Sequence, residues 1–268
     1  KIFIEESPSV LMFVSVLGLV PDMEKVVELC SKYDVVLLED TCESMGCEYK
    51  GKKLGTFGKM SSFSTFFGHH ISTIEGGIIS TDDKDLYELL VSIRSHGWDR
   101  DLSEETQIKL QKEWDVTEFN SLYTFYYSGF NMRSTDLQAY IGLTQIDKLD
   151  DWGKKRESNY NQYQDLIENK YWKPKSYVDS FTSNFAYPVI SPDRDEIVKK
   201  LQENKVEVRP MICGSMGTQP FYVKHYGKLK LPNVSVIDKY GFYVPNNPKL
   251  SSDEILFISK IINEGITE

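Results

Sequence analysis

In the N-terminal half of the chain, side chains able to do chemistry follow apolar runs. Glu39-Asp40 ends Val35-Val36-Leu37-Leu38, Ser64 lies within Met60 to Phe67, and His69-His70 precedes Glu75-Gly76-Gly77. An imidazole with its ordinary pKa near 6.5 transfers protons around neutrality. A carboxylate at the C-terminal end of a buried parallel strand stands where open α/β sheets bind ligands. Each residue also has a plainer reading: Asp40 could cap the next turn, Ser64 could be a satisfied core hydroxyl, and the paired histidines could be loop polarity. Spacing and composition alone point only to an enzyme-like α/β domain.

The elements that position these residues show in the periodicity. Pro21 and Asp22 open a helical pattern with Met23, Val26, Val27 and Cys30 on one face, and Tyr33 to Leu38 reads as a short buried strand. Met60 to Phe67 and Gly77 to Ser80 read as strands, and Asp82 to Ser95 as a helix stopped by Gly97. Asp99 to Asn120 is charged and aperiodic, a surface excursion with one helical turn or two. Thr135 and Gln138 form a capping box for a long helix over about 134–168, which bridges a large domain (1–150) and a small one (170–268). In the small domain the pattern predicts a strand at Phe185 to Ile190, a helix at Asp193 to Asn204, a strand at Val206 to Arg209 and a helix at Ser251 to Glu264, capped by Ser251 and Glu254.

The 268 residues, 40% hydrophobic and 13% aromatic, can bury a substantial core. A net charge of -9 argues against nucleic-acid binding through a general basic field, so an anionic ligand needs a local pocket. No apolar run reaches the roughly 18 residues of a membrane helix; Val10 to Val20 is interrupted by Ser15 and Gly18. Cys30, Cys42, Cys47 and Cys213 form no CxxC and no zinc spacing, which suits reduced thiols in the cytoplasm. The chain begins at Lys1 and soon enters a core strand at Val10 to Val14, so further N-terminal sequence is expected before it.

The run Glu39 to Gly46, then Tyr49-x-Gly51-Lys52-x-x-Gly55-Thr56-Phe57-Gly58, Ser62-Phe63-Ser64, Glu75-Gly76-Gly77, Gly129-Phe130-Asn131-Met132-Arg133, Val208-Arg209-Pro210 and Gly241-Phe242-Tyr243 resembles the DegT/DnrJ/StrS sugar aminotransferases. The resemblance spans nearly the whole chain. It implies a fold-type I, aspartate aminotransferase-like α/β enzyme that uses pyridoxal phosphate (PLP), with a mainly parallel sheet in an N-terminally truncated large domain and a small C-terminal α+β domain. The family's phosphate-binding turn and ring-stacking residue are expected before Lys1, so this polypeptide alone is expected to bind cofactor weakly.

Family members carry a lysine that bonds the cofactor covalently; laid without gaps, that lysine falls on His69, and no lysine lies between Lys59 and Lys84. Imidazole has no primary amine to form an imine, so the cofactor should be held non-covalently. The same exchange marks a branch of nucleotide-sugar 3-dehydratases, which the chain also resembles in His69-His70-Ile71-Ser72 and in His96-Gly97-Trp98-Asp99-Arg100. Because Asp99 to Asn120 holds no cysteine, the resemblance points to the branch without an iron-sulfur cluster, the ColD-like enzymes acting on GDP-4-keto-6-deoxy-D-mannose.

That resemblance implies a role for each residue. His69 is the base, working with pyridoxamine phosphate to dehydrate the sugar, with ammonia released and L-glutamate recharging the cofactor. Asp40 pairs with the pyridine nitrogen, Ser64 bonds the phosphate, and Asn131 reaches the cofactor phosphate of a second subunit, which implies a homodimer with shared sites. Glu43 stands in the place of a family glutamine near the ring oxygen. His70, Arg209 and Ser215 are candidate substrate contacts; Ser215 replaces a branch asparagine, and Arg209 could equally pair with a surface acid. His70 is expected to face away from His69, as neighbours on extended backbone do. The alternatives are another PLP-dependent nucleotide-sugar enzyme and a catalytically silent homologue.

Overall fold

The computed structural model describes residues 2–168 and 172–265. After a short N-terminal helix, α1 (Ile2–Glu5), strand β1 (Val10–Val14) and helix α2 (Met23–Lys32) lead to β2 (Val36–Asp40). Asp22 caps α2 by accepting the Lys25 N–H, and the helix turns Met23 and Cys30 into the core. A small ribbon of β3 (Glu48–Tyr49) and β4 (Lys52–Lys53) precedes β5 (Met60–Ser64) and β6 (Gly77–Ser80). The sheet order is β1-β2-β5-β6, with β1, β2 and β5 parallel and β6 antiparallel to β5. Parallel strands end on the same side, so the C-terminal ends of β2 and β5 lie together, with Asp40 opposite Ser62.

Alternation along β2 separates its two acids. Glu39 shares the buried face with Leu37, whereas Asp40 points to the other face. The Glu39 carboxylate accepts backbone N–H groups from Gly55 (2.8 Å), Phe57 (2.7 Å) and Gly58 (2.6 Å), which ties the loop after β4 to the sheet.

Helix α3 (Lys84–Ile93) follows its Asp83 cap. The excursion after it is more regular than its composition suggests. Ser103 caps a ten-residue helix, α4 (Glu104–Glu113), whose Leu110 packs with Val91 and Leu102, and Thr117 caps a shorter one, α5 (Glu118–Ser121). The predicted helix over 134–168 is two helices, α6 (Asp136–Ile146) and α7 (Leu149–Leu166), separated where the Lys148 N–H bonds Gln145 O in a tighter turn. The expected capping box of Thr135 and Gln138 is present.

The second sheet is antiparallel, in the order β7 (Ala186–Ile190), β9 (Gly241–Pro245), β8 (Arg209–Pro210). Helices α7, α8 (Arg194–Glu203) and α11 (Ser252–Glu264) cover it over a core that includes Tyr163, Tyr187, Phe242 and Ile255. The strand expected at Val206 to Arg209 starts only at Arg209, because the Val206 N–H turns back to Leu201 O and closes α8. Two helices that the sequence reading did not predict, α9 (Pro220–Tyr226) and α10 (Pro232–Tyr240), each begin on proline at the first helical position. Among the described residues no helix is long and apolar enough to cross a membrane. The start proposed for the C-terminal domain, residue 170, lies outside the described residues.

Candidate functional site

Around the C-terminal ends of β2 and β5 the chain gathers Asp40, Cys42, Glu43, Ser62 and His69. Asp40 Oδ1 accepts the Cys42 N–H (3.1 Å) and the Ser62 hydroxyl (3.3 Å), which fixes the carboxylate at the strand end. Glu43 Oε2 accepts the Leu17 N–H at 2.5 Å. Burial, aided by the neighbouring Asp40 charge, pushes the Glu43 carboxyl above its ordinary pKa, against the opposing pull of that hydrogen bond. Burial is also the main reason the Cys42 thiol is pushed up to about 11, which makes it a poor nucleophile.

His69 ends a tight turn in which its N–H bonds Phe66 O. Its Nδ1 lies 2.7 Å from Cys42 O. A carbonyl only accepts, so Nδ1 carries the hydrogen, and in the neutral ring Nε2 keeps the basic lone pair. The ring packs against Phe185 at 5.1 Å and against the edge of Phe66 at 6.2 Å. Half-buried and held on three sides, it is oriented as a base should be.

His70 does the opposite. It is 4% exposed, its Nε2 donates to Ser183 O at 2.6 Å, and burial, with the Arg156 charge second, pushes its pKa down to about 3. His70, considered as a substrate contact, is thus a neutral, enclosed imidazole bonded to a backbone carbonyl. Ser215, the other buried candidate, is enclosed in a similar way. It is 2% exposed, and its N–H bonds Asp238 Oδ1 in a turn whose Gly214 has φ +50°.

Of the remaining expected residues, Ser64 is half-buried and Arg209 and Asn131 are exposed. Ser64 ends β5 opposite Gly77, and its hydroxyl accepts the Phe66 N–H at 3.2 Å. Arg209 is exposed and chelates Glu207 Oε1 through Nε (2.9 Å) and Nη2 (2.5 Å). It also stands beside Tyr243 across the β8–β9 ladder. Burial raises the Tyr243 pKa, with opposing effects from the nearby Arg209 and Glu43 charges. Asn131 lies on exposed backbone bridged to Ser95.

Four participants were not named as site residues from sequence: Cys42, Ser62, Phe185 and Tyr243. Ser62 could have been found as the partner of Asp40 in parallel register. Phe185 and Tyr243, whose rings meet at 6.3 Å, come from the second sheet, and nothing local in the sequence brings them here.

The donor set fits a pyridoxal cofactor. A fixed carboxylate at a strand end suits a pyridinium nitrogen, and a strand-end hydroxyl suits a phosphate. The flanking lysines are engaged elsewhere, Lys59 with Asp83 (2.9 Å) and Lys84 with Glu105 (3.0 Å).

The chain is 32% identical to the GDP-4-keto-6-deoxy-D-mannose 3-dehydratase of Yersinia pseudotuberculosis, over 98% of this chain and 69% of the relative. It is 30% identical to the GDP-perosamine synthase of Escherichia coli O157:H7, over 95% of this chain and 65% of that protein. In three dimensions it is similar to the E. coli GDP-4-keto-6-deoxy-D-mannose-3-dehydratase with bound hydrated PLP, with a TM-score of 0.85 and 30% identity over 96% of this chain and 68% of that one. A further structure of GDP-4-keto-6-deoxymannose-3-dehydratase, holding a trapped PLP-glutamate geminal diamine, gives a TM-score of 0.84 at 29% identity. Residues 1–263 match the profile of the DegT/DnrJ/EryC1/StrS aminotransferase family, and the chain belongs to that family.

Proposed function

We propose that this chain catalyses PLP-dependent 3-dehydration of a nucleotide-linked 4-keto-6-deoxyhexose, GDP-4-keto-6-deoxy-D-mannose in particular, giving the 4-keto-3,6-dideoxy sugar and ammonia. The observation that carries this is the anchoring of the His69 ring through Nδ1 on Cys42 O, which supports the sequence alignment that lays this histidine on the family's lysine. When bound, the cofactor supplies an amine for the sugar ketone and a ring that accepts electron density while the C3 hydroxyl leaves.

His69 Nε2 would take the proton from the cofactor carbon that bears the amine, and the Nδ1–H bond to the Cys42 carbonyl would stabilise the imidazolium that results. Asp40, held by Cys42 N–H and Ser62, keeps the pyridine nitrogen protonated. Glu43, whose carboxyl pKa is raised chiefly by burial, would stand near the ring oxygen in the place of the family's glutamine. Ser64 bonds the phosphate and Arg209 meets the anionic part of the substrate. L-glutamate recharges the cofactor. Asn131, which is exposed, reaches the site of a second copy, so the working unit is a homodimer in the cytoplasm. Residues 1–150 form the cofactor domain and 170–268 the small domain.

The test is spectral and then chemical. Protein given PLP and L-glutamate should shift absorbance from about 390 nm to about 330 nm, and adding GDP-4-keto-6-deoxymannose should release ammonia. His69→Lys should abolish ammonia release and form an adduct that borohydride reduces. A borohydride-reducible adduct in the unmutated protein would overturn the reading.

A further inference from the structure

Behind His69 lies a buried guanidinium that the reaction as derived does not use. Arg156, on α7, is 6% exposed and has no ion-pair partner among the described residues. Burial pulls its pKa down to about 10. Its Nη1 donates to Asn246 O and to Phe185 O (3.4 Å), and its Nε is buried without a partner. Enclosing a charge this way is costly, and an apolar side chain of the same volume would fill the space at less cost. Packing alone does not explain an arginine here.

What it holds is the segment 183–185. Asn246 Nδ2 donates to Arg156 O (3.0 Å), to Asn184 O (3.2 Å) and to Asn184 Oδ1 (2.5 Å), and Asn184 Nδ2 donates to Ala186 O (2.7 Å). The outer side of the same segment touches the site residue by residue. Ser183 O receives His70, the Phe185 N–H bonds Leu17 O, and the Phe185 ring lies on His69. Leu17 in turn gives its N–H to Glu43. The three-residue strap therefore joins Arg156 on one side to the imidazole and the raised acid on the other.

We propose that Arg156 is a positioning residue for His69, acting through the 183–185 strap and the Phe185 ring. It rests on the proposed function only in taking His69 as the base. The guanidinium fixes the carbonyl of Phe185, the fixed backbone fixes the ring, and the ring, together with the Cys42 carbonyl, leaves the imidazole a single orientation with Nε2 presented.

The experiment is a double-mutant cycle on the full chain, read by ammonia release and by nitrogen NMR of the histidine rings. Arg156→Lys and Phe185→Leu should each lower kcat by about 10- to 100-fold with KM nearly unchanged. Each should also change the His69 ring from a pure Nδ1–H tautomer to a mixture. The double variant should be no worse than the poorer single variant, because both break one connection. Multiplying losses, or an unchanged His69 spectrum beside a lowered kcat, overturns the proposal. Should Arg156→Lys fail to fold, Phe185→Leu alone decides, since an unaltered His69 ring there removes the coupling. A wild-type protein that releases no ammonia sinks the proposed reaction, whereas the ring spectra still report on the strap.

Discussion

Replacing Glu39 by Gln, beside a matching change at Asp40, tests whether these adjacent acids have separate tasks. Glu39 Oε1 accepts from Phe57 and Gly58, and Oε2 accepts from Gly55. Glutamine keeps one oxygen, so two bonds survive without charge assistance, at a loss of about 1 kcal/mol each. The third position becomes an amide facing the Gly55 N–H, leaving a buried donor unmet at a cost of about 1–3 kcal/mol. The sum, about 3–5 kcal/mol, is a large part of the about 5–15 kcal/mol that holds a typical domain folded. Asp40→Asn retains Oδ1 as acceptor for Cys42 N–H and Ser62, so it should cost about 1 kcal/mol or less while removing most of the ammonia-releasing activity. Urea unfolding followed by circular dichroism measures both. Equal destabilisation by the two variants, or a Glu39→Gln loss under about 1 kcal/mol, would falsify the division into a structural and a chemical carboxylate.

Three other outcomes are expected. His70 has a folded pKa of about 3 against about 6.5 unfolded, so the unfolded chain takes up a proton that the folded one refuses, and stability is lost as pH falls below 6.5, by up to about 1.4 kcal/mol per unit. His70→Gln keeps a donor for Ser183 O, and its unfolding free energy between about pH 4 and 6 should be correspondingly less steep; an unchanged slope means His70 is not buried in its neutral form. Gly18→Ala should destabilise by about 3 kcal/mol or more in thermal melts, because at φ +75° its Cβ would sit 2.3 Å from Glu43 O and 2.7 Å from Asn184 Cα. Arg209→Gln should leave the melting temperature within about 1 °C, since its pair with Glu207 is exposed, yet raise the KM for nucleotide sugar about tenfold; an unaltered KM would show that Arg209 serves only Glu207.

How far the chain could be read in advance follows from the range of each interaction. His70 was expected to face away from His69, and the structure buries it on Ser183 O while His69 is turned to the cluster, although both sit in a turn and not on extended backbone. The separation of Glu39 from Asp40, which follows from alternation along β2, was not drawn from the sequence. Caps such as Thr135, Ser251 and Asp22 were readable for a local reason. The break at Lys148 and the early closure of α8 by Val206 were not, since single backbone hydrogen bonds decide them and periodicity does not register those.

The enclosure of the site is nonlocal throughout. His70 reaches Ser183 across 113 positions, and Arg156 reaches Asn246 across 90. An isolated arginine in the helical stretch of α7 reads as an ordinary solvated charge, and only tertiary packing, which brings it to the carbonyls of Phe185 and Asn246, shows it to be a buried one. The orientation of His69 is therefore a tertiary property. The first sheet supplies His69 and its Cys42 anchor, but the ring that limits its tilt comes from the Phe185 segment, held from behind by α7 and the end of β9. A fragment containing only the first sheet should keep Asp40 beside Ser62 and yet lose the single tautomer of His69, because one hydrogen bond to a carbonyl leaves the imidazole free to rotate about it.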